Sequence, residues 1–354
     1  MTKRENLLSL LRRQGIIEAP IDFTLCPSLY ETFMKNTGAK DYADFFQFPM
    51  RGVEDLYLKE IPGHNLKKFY KYDFKPGTTL DIWGVAHEPG SAAAKHMTKM
   101  HHPLISVDSL EELKEFPFPD FSQGDGSHQK IKVEEIHGKG LAAIGNMECT
   151  IWETSWYMRS MEELMIDMMM EDEKAEYILD RVTESSCIRA ASFAKAGVDI
   201  IRLGDDIGMQ SRIMMREEMY RTWLKPRLKK VIDAAKAVNP DIIIMYHSCG
   251  YVKPLINDLV EAGIDVLNPV QPECMNFEEI HQEFGDRLSF HGTIGTQTTM
   301  PFGSVEEVKR EVYKNLTIAG DKGGLLCAPT HMLEPEVPWE NIIAYMEACK
   351  EFIS

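Results

Sequence analysis

Asp241-Ile-Ile-Ile-Met-Tyr-His-Ser-Cys-Gly250 is an apolar run that stops abruptly at an imidazole, a hydroxyl and a thiol. The apolar part has the length and branching of a buried strand. Alternate residues of a strand point the same way, so His247 and Cys249 leave its end on one face. An imidazole and a thiol side by side at the mouth of a parallel sheet make half a zinc site.

The same beat repeats through the second half of the chain. Leu141-Ala-Ala-Ile144 precedes a helix over 151–170. Asp199-Ile-Ile-Arg-Leu203 precedes a helix over 217–238, and the 241–246 run precedes one over 252–262. Asp265-Val-Leu267, Leu288-Ser-Phe290 and Gly324-Leu-Leu326 precede helices over 277–284, 305–319 and 339–352. Strands separated by helices of this length form βαβ units and a parallel sheet. Each strand ends in a polar cluster: Gly145-Asn-Met-Glu148, Gly204-Asp-Asp206, His247-Ser-Cys249, Asn268-Pro-Val-Gln271, His291-Gly-Thr293 and Cys327-Ala-Pro-Thr-His331. Six consecutive strands with such ends predict an α/β fold of the (β/α)₈ barrel type, whose sites collect at the C-terminal rim. A doubly wound open sheet is the runner-up, with its ligand at one crevice. There is no G-x-G-x-x-G and no P-loop.

Residues 50–130 are less regular. Leu80-Asp-Ile-Trp-Gly84 reads as a strand, and Pro89-Gly-Ser-Ala-Ala-Ala94 and Ser122-Gln-Gly-Asp-Gly-Ser127 as loops. Insertions of this kind on a barrel often act as covers for the site. No linker or repeat divides the chain, so 1–354 reads as a single barrel domain.

The chain has 354 residues, 44% of them hydrophobic, ample for one large core. Its net charge of −16 argues against nucleic acid and anionic membrane as partners. No apolar run approaches a membrane span, and the start of the chain reads as an amphipathic helix ending at Gly15, not as a signal peptide. Seven scattered cysteines imply free thiols and a reducing cytoplasm. A homodimer is the expected assembly on base rates.

His331 and Cys327 are the candidate third ligands. His331 is preferred, because it lies past Pro329 on the loop and can reach inward, whereas Cys327 still belongs to the strand. Three protein ligands leave zinc the open position that catalysis needs. Asp205 and Asp206 point to opposite faces if extended, so at most one looks into the site. It would serve as general acid or as partner to a ligating histidine, with a helix cap as the plain alternative. Glu148 ends its strand and could bind metal or substrate, or simply favour the next helix's dipole. The 21 methionines, five of them at Met161, Met165, Met168, Met169 and Met170, read as adaptable core packing. The three histidines of Lys95-His-Met-Thr-Lys-Met-His-His102 read as a solvated loop.

Longer stretches resemble the uroporphyrinogen decarboxylase superfamily. They are His247-Ser-Cys-Gly-Tyr-Val-Lys-Pro-Leu-Ile256, Gly263-Ile-Asp-Val-Leu-Asn-Pro-Val-Gln271 and Phe284-Gly-Asp-Arg-Leu-Ser-Phe-His-Gly292, supported by Gly204-Asp-Asp-Ile-Gly208, Lys225-Pro-Arg227 and Ala328-Pro-Thr-His331. The resemblance runs from about Glu148 to the C-terminus and implies a (β/α)₈ barrel. The superfamily's decarboxylases act without metal and grip substrate carboxylates through an arginine-rich N-terminal motif. The corresponding Phe23-Thr-Leu-Cys-Pro-Ser-Leu-Tyr30 carries no arginine. The other branch comprises corrinoid-dependent methyltransferases with zinc on His-x-Cys and a later Cys. His247 and Cys249 match the first two, and the third slot holds His331. The resemblance thus implies a zinc-dependent methyltransferase working with a corrinoid (cobalamin) protein on a small methylated donor or acceptor, such as a methoxylated aromatic. A metal-free decarboxylase of a polycarboxylate is the alternative, and a non-catalytic binding module the second.

Overall fold

The computed structural model describes residues 1–58, 66–71, 73–90 and 98–352. Its ten strands are β1 (Met50–Val53), β2 (Thr79–Leu80), β3 (Ala86–Glu88), β4 (Lys99–His101), β5 (Ala142–Glu148), β6 (Ile200–Gly204), β7 (Ile243–His247), β8 (Val266–Asn268), β9 (Ser289–His291) and β10 (Leu325–Leu326). Seven of them form one parallel sheet in the order β1-β5-β6-β7-β8-β9-β10. All six strands read from the second half are present in sequential order, each followed by helix, in a curled (β/α)₈-barrel-like wall. Residues 22–26 run along the wall between the two edge strands. Cys26 N–H donates to the Leu333 carbonyl at 3.0 Å, Leu333 N–H to that of Thr24 at 2.8 Å, and the Phe23 ring meets Phe48, just before β1, at 4.9 Å between centroids.

The N-terminal helix Lys3–Leu11 closes the bottom of this wall. Leu7, Leu10 and Leu11 pack on Ala142, Ile200, Ile243, Val266 and Leu326, residues at or near the starts of their strands. Polar ties fix it there. The Arg4 guanidinium lies 2.7 Å from the buried Asp199 carboxylate, and Gly324 N–H donates to the Leu10 carbonyl at 2.9 Å. With this end covered, the C-terminal rim is the end that carries the cleft.

The described part of 50–130 forms a small antiparallel sheet, β2-β3-β4, and a satellite core. Trp83, Val85, Leu104 and Phe116 pack there with Met158, Ile178 and Val182 of the helices Trp152–Arg159 and Glu173–Ala196. Residues 91–97, with most of one expected loop and His96, lie outside the described residues.

Several boundaries differ from the sequence reading. The expected strand 80–84 ends at Leu80, because Asp81 Oδ1 accepts from the N–H groups of Trp83 and Val85 and turns the chain. The helix expected over 151–170 is two, Trp152–Arg159 and Met161–Met169. Ser160 breaks it at φ 76° and caps the second part through its Oγ. The helix over 217–238 contains a π turn, Tyr220–Leu224, just before Pro226, which has no N–H for the helical ladder. Met50–Val53 and the 24-residue Glu173–Ala196 escaped the reading.

Leu10 has no exposed surface. Leu10→Ala is expected to cost about 2–5 kcal/mol in denaturant unfolding, the usual range for a buried leucine. Asp258 joins neighbouring helices by accepting from Arg221 Nε at 3.0 Å and Lys225 Nζ at 2.8 Å. Burial works to raise its carboxyl, but the two cations outweigh it and hold it below its ordinary 3.8. A lowered native value contributes stability above about pH 4 that is lost as pH falls through it. Asp258→Asn should therefore be less stable than wild type at pH 7 and lose less on acidification from pH 4, as read by thermal melts across that range.

Candidate active site

Parallel register puts Glu148, Gly204, His247 and Asn268 in one row across the ends of β5, β6, β7 and β8. Gly204 leaves that row open in the middle. A Cβ there would lie 2.6 Å from the His247 carbonyl oxygen, closer than any side chain allows. Across the gap His247 Nδ1 comes to 3.7 Å from Glu148 Oε1.

His247 and Cys249 project together, with Nε2 and Sγ 3.5 Å apart. Ser248 points the other way, where its buried hydroxyl accepts from Ile207 N–H at 3.0 Å. Asp206, on the loop after β6, reaches the same point. Its Oδ1 is 3.7 Å from His247 Nε2 and accepts the Cys249 N–H at 2.7 Å. The three ligand atoms lie within 4.8 Å of one another. Tetrahedral zinc with bonds of about 2.3 Å to sulfur and 2.0–2.1 Å to nitrogen would set those two atoms roughly 3.6 Å apart, so the donor set fits that ion. The turn that carries Cys249 depends on small residues. Gly250 has φ 85°, and a Cβ on it would lie 2.7 Å from the Met209 carbonyl.

The remaining candidates separate. Asp205 is buried and turned from the cleft, accepting the N–H groups of Ile151 and Glu153 at the start of the helix Trp152–Arg159. Burial first, then the charge of Glu153, pushes its carboxyl upward. Glu148 lines the cleft, and its Oε1 is 2.8 Å from Arg202 Nε, an ion pair without the alignment of a hydrogen bond. Burial raises the Glu148 carboxyl, but Arg202 and His247 outweigh it and hold it below its ordinary value. His331 lines the same cleft, its ring centroid 6.4 Å from that of His247. Cys327 is buried on the core side, its Sγ 3.8 Å from Thr293 Oγ1 and paired with the thiol of Cys349.

Other residues complete the cleft. Glu153 accepts from Tyr157 O–H at 2.9 Å and from Asp206 N–H at 3.1 Å. Burial first, and then the neighbouring Asp206, pushes its carboxyl up to about 7. Asn268 Oδ1 lies 2.6 Å from His247 Nδ1, and His291 Nε2 lies 2.9 Å from Asp22 Oδ2. Burial lowers the affinity of His247 for a proton, so it is neutral near pH 7 as a ligand must be. Burial, then Asp206, pushes the Cys249 thiol up to about 12. The cleft encloses about 290 Å³ and, among the described residues, presents four carboxylates (Asp22, Glu148, Glu153, Asp206) against one guanidinium, Arg202. The strand-end rule reached Glu148, Asp206, His247 and Asn268. Glu153 and Asp22 needed the fold itself.

Residues 92–352 match the uroporphyrinogen decarboxylase (URO-D) family. The chain is 26% identical over 263 residues to the methylated-thiol--coenzyme M methyltransferase of Methanosarcina mazei, covering 72% of this chain and 66% of that protein. It is 24% identical over 189 residues to the uroporphyrinogen decarboxylase of Chlorobium limicola, covering 52% and 51%. The matches thus span between half and two thirds of those relatives. A solved methyltransferase from Methanosarcina mazei superposes over 99% of both chains with a TM-score of 0.69 at 20% identity, a likeness of fold.

Gly250→Ala is expected to lower stability by about 1–3 kcal/mol, through strain at positive φ and the clash with Met209. Gly52→Ala, where nothing lies within 4 Å, should change it by less than about 0.5 kcal/mol. Paired thermal melts read both.

Proposed function

This chain belongs to the uroporphyrinogen decarboxylase family, and we propose that within it the protein is a zinc-dependent methyltransferase working with a separate corrinoid protein. The observation that carries this reading is the convergence of His247 Nε2, Cys249 Sγ and Asp206 Oδ1 at the rim. In this proposal these three residues hold the ion. His331 is placed beyond them to complete the set or meet the substrate, and Cys327 keeps to the core.

Zinc held there would supply a Lewis acid for a departing oxygen or sulfur, or would keep a substrate thiol deprotonated. The chain does the rest. Cys249, buried and with a carboxylate beside it that outweighs the pull of Arg202, serves as a ligand and not as a free nucleophile. Glu153 sits beside Asp206 with a carboxyl poised near neutrality, so it can give a proton to a leaving group or take one from an incoming thiol. The cleft suits a small methylated molecule: a methoxylated aromatic, or a methylated thiol of the kind its Methanosarcina relative is named for. The methyl group would pass between that molecule and the partner's corrinoid.

The family's decarboxylases keep a carboxy-lyase in view. The charge of the cleft speaks against it. A polycarboxylate would meet four carboxylates and one guanidinium already engaged by Glu148.

Purified protein is expected to hold about one zinc per chain and to move methyl groups from a donor panel to a reduced corrinoid protein. His247→Ala should lose the metal and at least about 100-fold in rate. A metal-free wild type whose methyl transfer survives His247→Ala would sink the proposal, and carbon dioxide release from a polycarboxylate would establish the alternative.

A further inference from the structure

Asn268 ends β8 with 2% of its surface exposed and its amide fully engaged. Its Oδ1 lies 2.6 Å from His247 Nδ1 and 2.9 Å from Arg202 Nη2. Its Nδ2 lies 2.8 Å from the His291 carbonyl oxygen and 3.1 Å from His291 Nδ1. Two of these four neighbours have only one hydrogen-bonding role. A guanidinium donates and never accepts, and a carbonyl accepts and never donates. The amide therefore has one allowed orientation, oxygen toward Arg202 and nitrogen toward His291. Reversing it would oppose two donors at 2.9 Å and two acceptors at 2.8 Å.

With an acceptor fixed 2.6 Å away, His247 Nδ1 must carry the ring's hydrogen. The longer approach of Arg202 Nη2 to the same nitrogen, 3.3 Å, does not compete. The lone pair is left on Nε2, which faces Cys249 and Asp206. We propose that Arg202 and Asn268 are positioning residues: the donor-only Arg202 locks the Asn268 amide, and Asn268 holds His247 as the Nδ1–H tautomer with Nε2 presented to the ligand cluster. The same logic runs on to His291. Its Nδ1 accepts from Asn268, so its Nε2–H donates to Asp22 at 2.9 Å. Arg202, braced by Glu148, and the His291 carbonyl thus set the tautomers of two histidines through one amide. The tautomer assignment stands independently of any activity; its effect on the metal rests on the zinc site proposed above.

Long-range ¹⁵N–¹H NMR of the full chain at pH 8, with His247 assigned by its loss in His247→Gln, reads the tautomer directly. The expected wild-type signal is Nδ1–H for His247, replaced by a mixture in Asn268→Leu, which removes the acceptor. An Nε2–H signal in the wild type overturns the proposal. Competition with a chelator for Co²⁺ gives the second readout. Arg202→Gln and Asn268→Leu should each bind Co²⁺ about 10- to 100-fold more weakly, with a shifted sulfur-to-cobalt absorption band. Asn268→Asp, which keeps an oxygen toward His247 but opposes a second one to the His291 carbonyl, should recover only part of the loss. Wild-type affinity and spectrum in both Arg202→Gln and Asn268→Leu would overturn the positioning role. Arg202→Gln, at the half-buried side of the network, guards against a folding defect in Asn268→Leu. A wild type that binds no Co²⁺ sinks the methyltransferase reading instead, and the NMR result then decides this one alone.

Discussion

The in-register pairing of four parallel strands governs the chemistry of this molecule. It sets Glu148, a glycine, His247 and Asn268 side by side at one height of the barrel wall. The glycine is what makes the row work. Any side chain at position 204 would collide with the backbone of His247, and Glu148 could not approach the imidazole across it. Shifting one strand by a residue would turn the imidazole into the wall. The cleft end is thus held by the same ladder of hydrogen bonds that holds the fold.

Four carboxylates in one half-buried cleft repel each other, and each is settled differently. Glu148 has Arg202, Asp206 has the Cys249 N–H, and Asp22 has His291. Glu153 keeps its proton until near neutrality. A divalent cation between Asp206, His247 and Cys249 would relieve the crowding further. The surplus of negative charge is therefore coherent with a cation site and costly for a polyanionic ligand.

How much of this the sequence revealed follows from the range of the interactions. His247 and Cys249 were legible as a pair because period-2 geometry is local. That at most one of Asp205 and Asp206 would face inward was legible too. Which one, and that it meets the imidazole, depends on the stagger between β6 and β7, which no local pattern encodes. The preference for His331 over Cys327 rests on its place past Pro329; the fold adds that Cys327 is buried while His331 lines the cleft. Glu153 is an ordinary first-turn glutamate in the sequence, and only burial beside Asp206 gives it its proton affinity. The breaks at Ser160 and at the π turn were hidden because apolar spacing continues through both.

The helix that seals the barrel floor has a consequence for synthesis. Leu7, Leu10 and Leu11 leave the ribosome long before Val266 and Leu326, which are among their partners. The backbone tie to Leu10 comes from Gly324. This segment must therefore wait, greasy and unsatisfied, until some three hundred further residues have been translated. The helix is seated only once the β10 region is made, and the unsealed tube before that moment is the species a chaperone would meet.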